Sequence, residues 1–224
     1  MPEPGGADVW TIRLDRTADA ARWLTPADLR RAAAIGDPAA YRRFVVSHAA
    51  LNAILADRLG VPAGDLPLRR GPRGRPHLAG PGPHFSLAHA GDLAVVAVAG
   101  RPVGVDVDHP RDGLDPRRMA ARFFTPDESA LVTMAGADAY PEYLRLWTRK
   151  EACVKAAGSR LALGLRLPVG GAAGGTLLVR DPAGRLPGIF LVRDLPAAGV
   201  YRGAVALAGT GPARCRIREF DRDL

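Results

Sequence analysis

The sequence predicts an α+β fold of two similar halves, each a small antiparallel sheet packed against one long helix. Two observations carry this prediction. Helical periodicity alternates with short valine-rich runs of strand character, and the same order of elements returns about 100 residues later. The predicted halves are residues 1–103 and 104–224. We expect a binding cleft where the two halves meet.

In the first half, N-cap residues followed by proline mark the helix starts. Thr25 precedes Pro26 and Asp37 precedes Pro38, and both pairs favour a helix that begins at the proline. Apolar residues then recur at helical spacing as far as Gly60, so we predict one long amphipathic helix.

Two apolar stretches follow this helix, after a loop rich in arginine and glycine. Residues 85–100 and residues 102–110 are rich in valine and bounded by glycine and proline. We predict that they form two strands joined tightly at residues 100–102.

Similar signals recur in the second half. Thr125 and Glu128 are spaced for a capping box, and a second long helical pattern runs from Ala139 to Gly158. An internal duplication is therefore predicted, with two unrelated α+β units in the same order as the alternative. At a spacing of 99 residues, Phe44, His48 and Asn52 correspond to Tyr143, Trp147 and Glu151.

Composition limits the environment and the partners of the chain. The formal net charge of +8 attracts polyanions such as nucleic acid, phosphorylated ligands or an acidic protein, and does not choose among them. The first ten residues lack the features of a secretory signal, and the longest apolar run, residues 93–100, is too short to span a bilayer. We therefore expect a cytoplasmic protein with no membrane partner and with reduced cysteines.

Two carboxylates share one face of the predicted strand at residues 102–110. Side chains alternate along a strand, so Asp106 and Asp108 point to the same side. Acids this close repel each other unless a cation lies between them, and oxygen ligands of this kind suit Mg²⁺. The alternative is a solvated strand end with two unpaired acids.

A second set of polar residues shares one face of the second long helix. Trp147, Glu151 and Lys155 are spaced four residues apart. A surface ion pair is the simplest explanation of the last two, but the tryptophan indicates that this face is at least partly buried. Glu151 would then supply a third metal ligand, and Lys155 a proton donor or a neutralising charge.

Scattered cations in the first half are suited to phosphate groups. Arginine forks match phosphate oxygens, and the candidates are Arg31, Arg43 and Arg75, with His89 at the start of an apolar stretch. Solubility is the alternative role for each arginine, and a structural hydrogen bond is the alternative role for the histidine.

These motifs together resemble a known family. The stretch 104–108, followed about 40 residues later by 146–158, resembles the paired signature of the 4′-phosphopantetheinyl transferases. Residues 74–78, 85–100 and 42–44 resemble further elements of that family in the same order. The resemblance covers roughly residues 20–208, and the length is similar to the two-half, surfactin-synthetase-activating class, which is a pseudo-dimer of α+β halves.

The resemblance implies a reaction and a set of roles. The enzyme would transfer the 4′-phosphopantetheine arm of coenzyme A to a serine of an apo acyl, peptidyl or polyketide carrier protein. It would act as a Mg²⁺-dependent monomer, with coenzyme A contacts in the first half and metal and catalytic residues in the second. By this resemblance, Asp106, Asp108 and Glu151 would bind Mg²⁺, and Glu151 would also act as general base. Lys155 would neutralise or protonate the leaving phosphate. Arg75 and His89 would contact the coenzyme A phosphates, and Arg43 and Arg31 would contact its 3′-phosphate or adenine end.

The chain departs from the family pattern at two positions. Asp108 stands where many members have glutamate, so its carboxylate reaches one methylene less, and Ala88 stands where serine is common.

Two other functions are alternatives to this transferase. A metal-dependent phosphodiesterase or nuclease is the enzyme alternative, but the Glu-x-Lys spacing typical of nucleases is absent. A nucleic-acid-binding module is the non-catalytic alternative; the basic residues are dispersed and form no known motif, so we expect no nucleic-acid partner.

Overall fold

The computed structural model of the chain describes residues 5–15, 20–72, 74–196, 199–221 and 224. Its helices and strands alternate in two successive groups. The first group consists of β1 (Ala7–Arg13), α1 (Pro26–Ala32), α2 (Pro38–Leu59), β2 (Leu68–Arg70), β3 (Pro76–Leu78), β4 (His84–Ala90) and β5 (Leu93–Ala99). The second group consists of β6 (Val103–Asp108), α3 (Pro116–Phe123), α4 (Pro126–Met134), α5 (Ala139–Ala156), α6 (Leu161–Gly164), β7 (Thr176–Arg180), β8 (Ile189–Leu195), β9 (Arg202–Ala208) and β10 (Cys215–Glu219).

The strands form two larger sheets and a small hairpin. The first sheet has the order β10-β1-β5-β4, the second has the order β6-β9-β8-β7, and β2 pairs with β3. Within the described residues the pairing is antiparallel except between β1 and β10, which run parallel. The predicted α+β class with antiparallel sheets is therefore confirmed.

The two halves share one pairing order. In the first, β1 pairs with β5 and β5 with β4; in the second, β6 pairs with β9 and β9 with β8. Each set is interrupted by a short helix followed by a long one, α1 and α2 or α4 and α5, and the second set also contains the short helices α3 and α6. This likeness of topology supports the predicted duplication, and the duplication itself stays a prediction.

Local sequence signals explain where the helices begin. The side-chain oxygens of Thr25 and Asp37 accept backbone hydrogen bonds at 3.2 and 2.7 Å, which caps α1 and α2 as predicted. Thr125 and Glu128 form the predicted capping box of α4. Gly60 ends α2 with a positive φ of 67°, a conformation that favours glycine.

Two strands were predicted between residues 85 and 110, and the structure has three, β4, β5 and β6. Residues 85–100 contain both β4 and β5, which turn back on each other at Gly91 and Asp92. Gly91 has a positive φ of 52°, and a Cβ at this position would lie 2.6 Å from the Tyr201 hydroxyl, so the turn needs a glycine. The tight connection at residues 100–102 joins β5 to β6 and passes from the first sheet to the second.

The sheets and long helices pack in four layers. One face of the first sheet packs against α2, and one face of the second sheet packs against α5. The remaining faces of the two sheets meet in a third apolar cluster. The edge of β6 lies beside β4, where the backbone N–H of Val105 donates to the Ser86 hydroxyl at 3.1 Å. The junction of the two halves is therefore a packed core with β4 and β6 at its edge.

The predicted boundary between residues 103 and 104 falls at the start of β6 and stays a prediction. The strand β10 follows the second half in sequence but pairs with β1 of the first sheet, with Ala7 opposite Cys215. In the parts of the chain that the structure describes, no helix has both the length and the apolar character needed to cross a membrane.

Candidate functional site

The acids of β6 face α5. Val103, Val105 and Val107 point into the cluster between the sheets, so the alternation of a strand directs Gly104, Asp106 and Asp108 to the other side. Gly104 lies directly against α5: a Cβ there would clash with the carbonyl oxygen of Ala152 and the amide nitrogen of Ala156. Because glycine permits this close approach, the acids are brought beside the last two turns of the helix.

Asp106 pairs with Lys155. The Lys155 Nζ atom lies 2.7 Å from Oδ1 of Asp106 and donates to the carbonyl oxygen of Val105 at 3.2 Å. Burial raises the pKa of Asp106 to about 7; Lys155 opposes this rise, and the charges of Glu151 and Asp108 add to it. The acid is therefore a buried carboxylate that needs a cation beside it in order to stay charged at neutral pH.

Glu151 lies one turn before Lys155 on the same face of α5. Burial raises the pKa of its carboxyl above the ordinary value, Lys155 lowers it, and Asp108 raises it. Trp147 lies one turn further back and stacks on Tyr143, with ring centroids 5.9 Å apart. Both Trp147 and Glu151 are half-buried, as predicted for this face.

Asp108 has a different counter-ion. Nη2 of Arg111 lies 2.9 Å from both carboxylate oxygens of Asp108, and the backbone N–H of His109 donates to Oδ1 at 2.9 Å. This role for Arg111 was not predicted from the sequence. Its position three residues after Asp108, in a connection leaving a strand, is the signal that was available.

The three acids carry oxygen ligands of the type that Mg²⁺ prefers. The charges of Glu151 and Asp108 add to the rise in the pKa of Asp106, and the charge of Asp108 adds to the rise in the pKa of Glu151. Among the described residues, no group of three or more His, Cys, Asp or Glu side chains is arranged to hold a metal ion. Asp106 and Asp108 are paired with Lys155 and Arg111 instead. The acids therefore fit magnesium in donor chemistry, whereas in this structure two of them are held by cations of the chain.

Arg75 connects both halves beside this site. Its guanidinium donates to the carbonyl oxygens of Lys155, of Val103 at 3.0 Å and of Phe85 at 3.5 Å. Burial lowers the pKa of Arg75 from its ordinary value. A cavity of about 260 Å³ beside it is also lined by Lys155 and by Ser159. The carbonyl bonds fix the end of α5 against β4 and β6.

His89 and Arg43 lie on the first-half side of the acids. Burial lowers the pKa of His89, and the charges of Lys155 and Arg43 lower it further, so these three groups are electrostatic neighbours. The Nε atom of Arg43 lies 3.2 Å from Oδ1 of Asp92 in the β4–β5 turn. The positive charges of Arg43 and Lys155 therefore both act on His89, and the lowered pKa favours a neutral imidazole at neutral pH.

Arg31 belongs to a separate cluster on α1 and α2. Its guanidinium lies 4.7 Å from the ring centre of Phe44, and its Nη1 atom lies 3.3 Å from Nε2 of His48. Asp28 is 3.9 Å from Nη1 of the same arginine. The contacts of Arg31 are therefore with these helices and not with the acids of β6.

Lys150, for which the sequence indicated no role, is a buried structural cation. It is 0% exposed, and its Nζ atom lies 2.6 Å from Oε2 of Glu128 and 2.5 Å from the carbonyl oxygen of Leu167. The ring centre of Phe124 is 4.7 Å from the same atom. Apolar neighbours three and four residues away on the helix were the signal that this lysine points into the core.

Comparison with known proteins identifies the chain. A family model described as the 4′-phosphopantetheinyl transferase superfamily matches residues 102–182, the segment that contains Asp106, Asp108, Glu151 and Lys155. The 4′-phosphopantetheinyl transferase HetI of Nostoc sp. is 34% identical over 164 residues, which is 69% of this chain and 69% of that protein.

Two Bacillus subtilis proteins match over shorter stretches. A 4′-phosphopantetheinyl transferase is 36% identical over 95 residues, 41% of each chain, and the 4′-phosphopantetheinyl transferase Sfp is 30% identical over 87 residues, 38% of each chain. By the names of these relatives, this α+β protein is an enzyme of the transferase class. Within that class, the chain belongs to the 4′-phosphopantetheinyl transferase superfamily, as its motifs indicated.

Proposed function

We propose that this protein transfers 4′-phosphopantetheine from coenzyme A to the serine hydroxyl of an apo carrier protein and releases adenosine 3′,5′-bisphosphate. Membership of the superfamily supports the transfer of phosphopantetheine to carrier proteins. The observation that carries the assignment of roles is the contact of Lys155 with Asp106 at 2.7 Å, with Glu151 one turn away.

In this proposal Asp106, Asp108 and Glu151 hold Mg²⁺. A bound magnesium ion would neutralise the negative charge of the coenzyme A pyrophosphate. The pKa of Asp106 is raised first by burial, and repulsion from the charges of Glu151 and Asp108 adds to that rise. A doubly charged cation relieves that repulsion better than Lys155 and Arg111 do, because it interacts with all three acids together.

Glu151 is proposed as the general base. The serine oxygen forms the new bond to phosphorus, the bond from phosphorus to the adenosine bisphosphate oxygen breaks, and the serine proton passes to the Glu151 carboxylate directly or through water. Burial raises the pKa of this carboxyl, and a base works best when its pKa approaches the working pH. Its half-buried position leaves one side open to a substrate hydroxyl.

Lys155 is proposed to neutralise the leaving phosphate and to protonate it. Its side chain is 29% exposed, and it both pairs with Asp106 and lines the cavity beside Arg75. Lysine suits this role better than arginine, because an ammonium is compact and can give up a proton.

The remaining cations are proposed to hold coenzyme A. The positive charges of Arg43 and Lys155, which both act on His89, favour binding of the pyrophosphate. Arg75 borders the cavity beside Lys155 and would contribute its charge there. Arg31 lies further away on α1 and is proposed for the 3′-phosphate or adenine end. We expect a cytoplasmic monomer whose net charge of +8 attracts an acidic carrier protein.

A transfer assay tests this function. Purified protein is incubated with coenzyme A, Mg²⁺ and a panel of apo fatty-acid, polyketide and peptide carrier proteins, and the carriers are analysed by mass spectrometry. We expect one phosphopantetheine on the accepted carriers. Unchanged masses across the whole panel would contradict the proposal, and plasmid DNA incubated with Mg²⁺ in parallel tests for nuclease activity.

A further inference from the structure

The carboxylate of Asp108 is held by an arginine that approaches from solvent. Nη2 of Arg111 contacts both of its oxygens at 2.9 Å. The Asp108 side chain is 10% exposed, whereas that of Arg111 is 62% exposed. The acid is therefore part of the protein interior, and its counter-ion is free to leave without disturbing the core.

The backbone of Arg111 is fixed by α5. Its N–H donates to the Tyr140 hydroxyl at 2.8 Å, and the same hydroxyl donates to the Arg111 carbonyl oxygen at 3.1 Å. Tyr140 stands in the first turn of the helix that carries Glu151 and Lys155. Because both backbone groups are bound, the guanidinium is kept within reach of Asp108, and only its side chain needs to move for release.

We propose that Arg111 is an internal counter-ion that competes with the divalent cation for Asp108. This inference rests on the proposed function, in which Asp108 is a ligand of that cation. A guanidinium and a divalent cation at one carboxylate repel each other, so each cation binding event must displace Arg111. Displacement costs little on the side of Arg111, because its side chain is 62% exposed and its guanidinium returns to water. Arg111 thus sets the cation concentration at which Asp108 becomes a ligand.

The test measures cation affinity and not turnover. Mn²⁺ is titrated into the metal-free full-length chain without coenzyme A, and free Mn²⁺ is followed by electron paramagnetic resonance. We expect Arg111→Gln to tighten binding about two- to fivefold, since removing an exposed ion pair releases the acid. Arg111→Lys, which keeps the charge, should stay within about twofold of the wild-type affinity.

Two further variants separate this effect from general electrostatics. Arg118→Gln removes the same charge from an exposed position on α3 and should leave the affinity unchanged. In the Asp108→Asn background, Arg111→Gln should no longer tighten binding, because the acid for which both cations compete is gone. Circular dichroism confirms that each variant is folded.

The inference is overturned if Arg111→Gln binds Mn²⁺ as the wild type does, if Arg118→Gln gains as much, or if the gain persists with Asn at position 108. It is also overturned if no variant binds Mn²⁺. The carrier assay distinguishes this outcome from failure of the proposed function. If the wild type modifies carriers but Arg111→Gln gains no affinity for Mn²⁺, only the counter-ion role is refuted.

Discussion

Nζ of Lys155, near the end of α5, lies 2.7 Å from Oδ1 of Asp106 on β6, where Gly104 of the strand lies against the backbone of the helix. The pair sits in a site where a carboxylate with a pKa of about 7 needs a cation. In the proposed reaction the same ammonium serves the leaving phosphate, so the loss of this cation should affect catalysis more than folding.

Lys155→Ala is expected to lower kcat/KM for the carrier protein by about 100-fold or more, because a charge that stabilises the transition state is lost. Steady-state kinetics with an accepted carrier measures the effect. Arg160→Ala, at an exposed position five residues further on, is the matched control and should change the rate less than about twofold. A Lys155→Ala enzyme with more than half of the normal rate would contradict the proposed role.

Gly104→Ala is expected to destabilise the protein by about 1–3 kcal/mol, because the added methyl group clashes with the backbone of α5. It should also lower the transfer rate, since the helix must move away from Asp106. Gly100→Ala is the control, because a Cβ there meets nothing within 4 Å. Urea denaturation measures the free energy of unfolding of both variants, and equal values would refute the tight contact between Gly104 and α5.

Glu128→Ala is expected to destabilise the fold by about 3–5 kcal/mol, because it leaves the charge of Lys150 buried without its partner. Asp127→Ala removes an exposed acid from the same helical turn and should change the free energy of unfolding by less than about 1 kcal/mol. The double change Glu128→Gln with Lys150→Met should recover part of the stability. Denaturant titration decides between these outcomes; similar values for Glu128→Ala and Asp127→Ala would exclude a strong buried pair.

His48 is expected to make stability depend on pH. Burial lowers its pKa from 6.5 to about 4, Arg31 lowers it too, and Asp28 opposes the shift. The unfolded chain therefore binds more protons between these values, so stability is complete above pH 6.5 and falls as the pH drops toward 4. His48→Gln should reduce this slope by up to about 1.4 kcal/mol per pH unit. Thermal melts across that range check the prediction, and identical slopes would contradict it.

Local signals predicted the helices well, because caps and periodicity act within a few residues. Thr25, Asp37 and Thr125 all cap the helices predicted for them. The neighbourhood of Asp106 and Lys155 was also anticipated, from the shared helix face of Glu151 and Lys155 and from the resemblance between motifs. Their contact depends on Gly104, whose role appears only once α5 lies against β6.

Long-range contacts explain what the sequence did not predict. The β4–β5 turn was missed although Gly91 and Asp92, which lie between two strand-like runs, are a hairpin signal. The pairing of β10 with β1 joins segments from the two ends of the sequence. The partners of Lys150 and Arg75 were not predicted, since Glu128, Leu167, Val103 and Phe85 are distant from them in sequence.

The most direct test of the account compares Asp106→Asn and Glu151→Gln with the wild type in the carrier transfer assay, read by mass spectrometry with coenzyme A and Mg²⁺ present. Both changes keep the side-chain size, so the melting temperatures should stay close to that of the wild type. We predict that the wild type converts the apo carrier and that each variant is slowed at least about 1,000-fold. Conversion by either variant at a near-normal rate would contradict the proposed site.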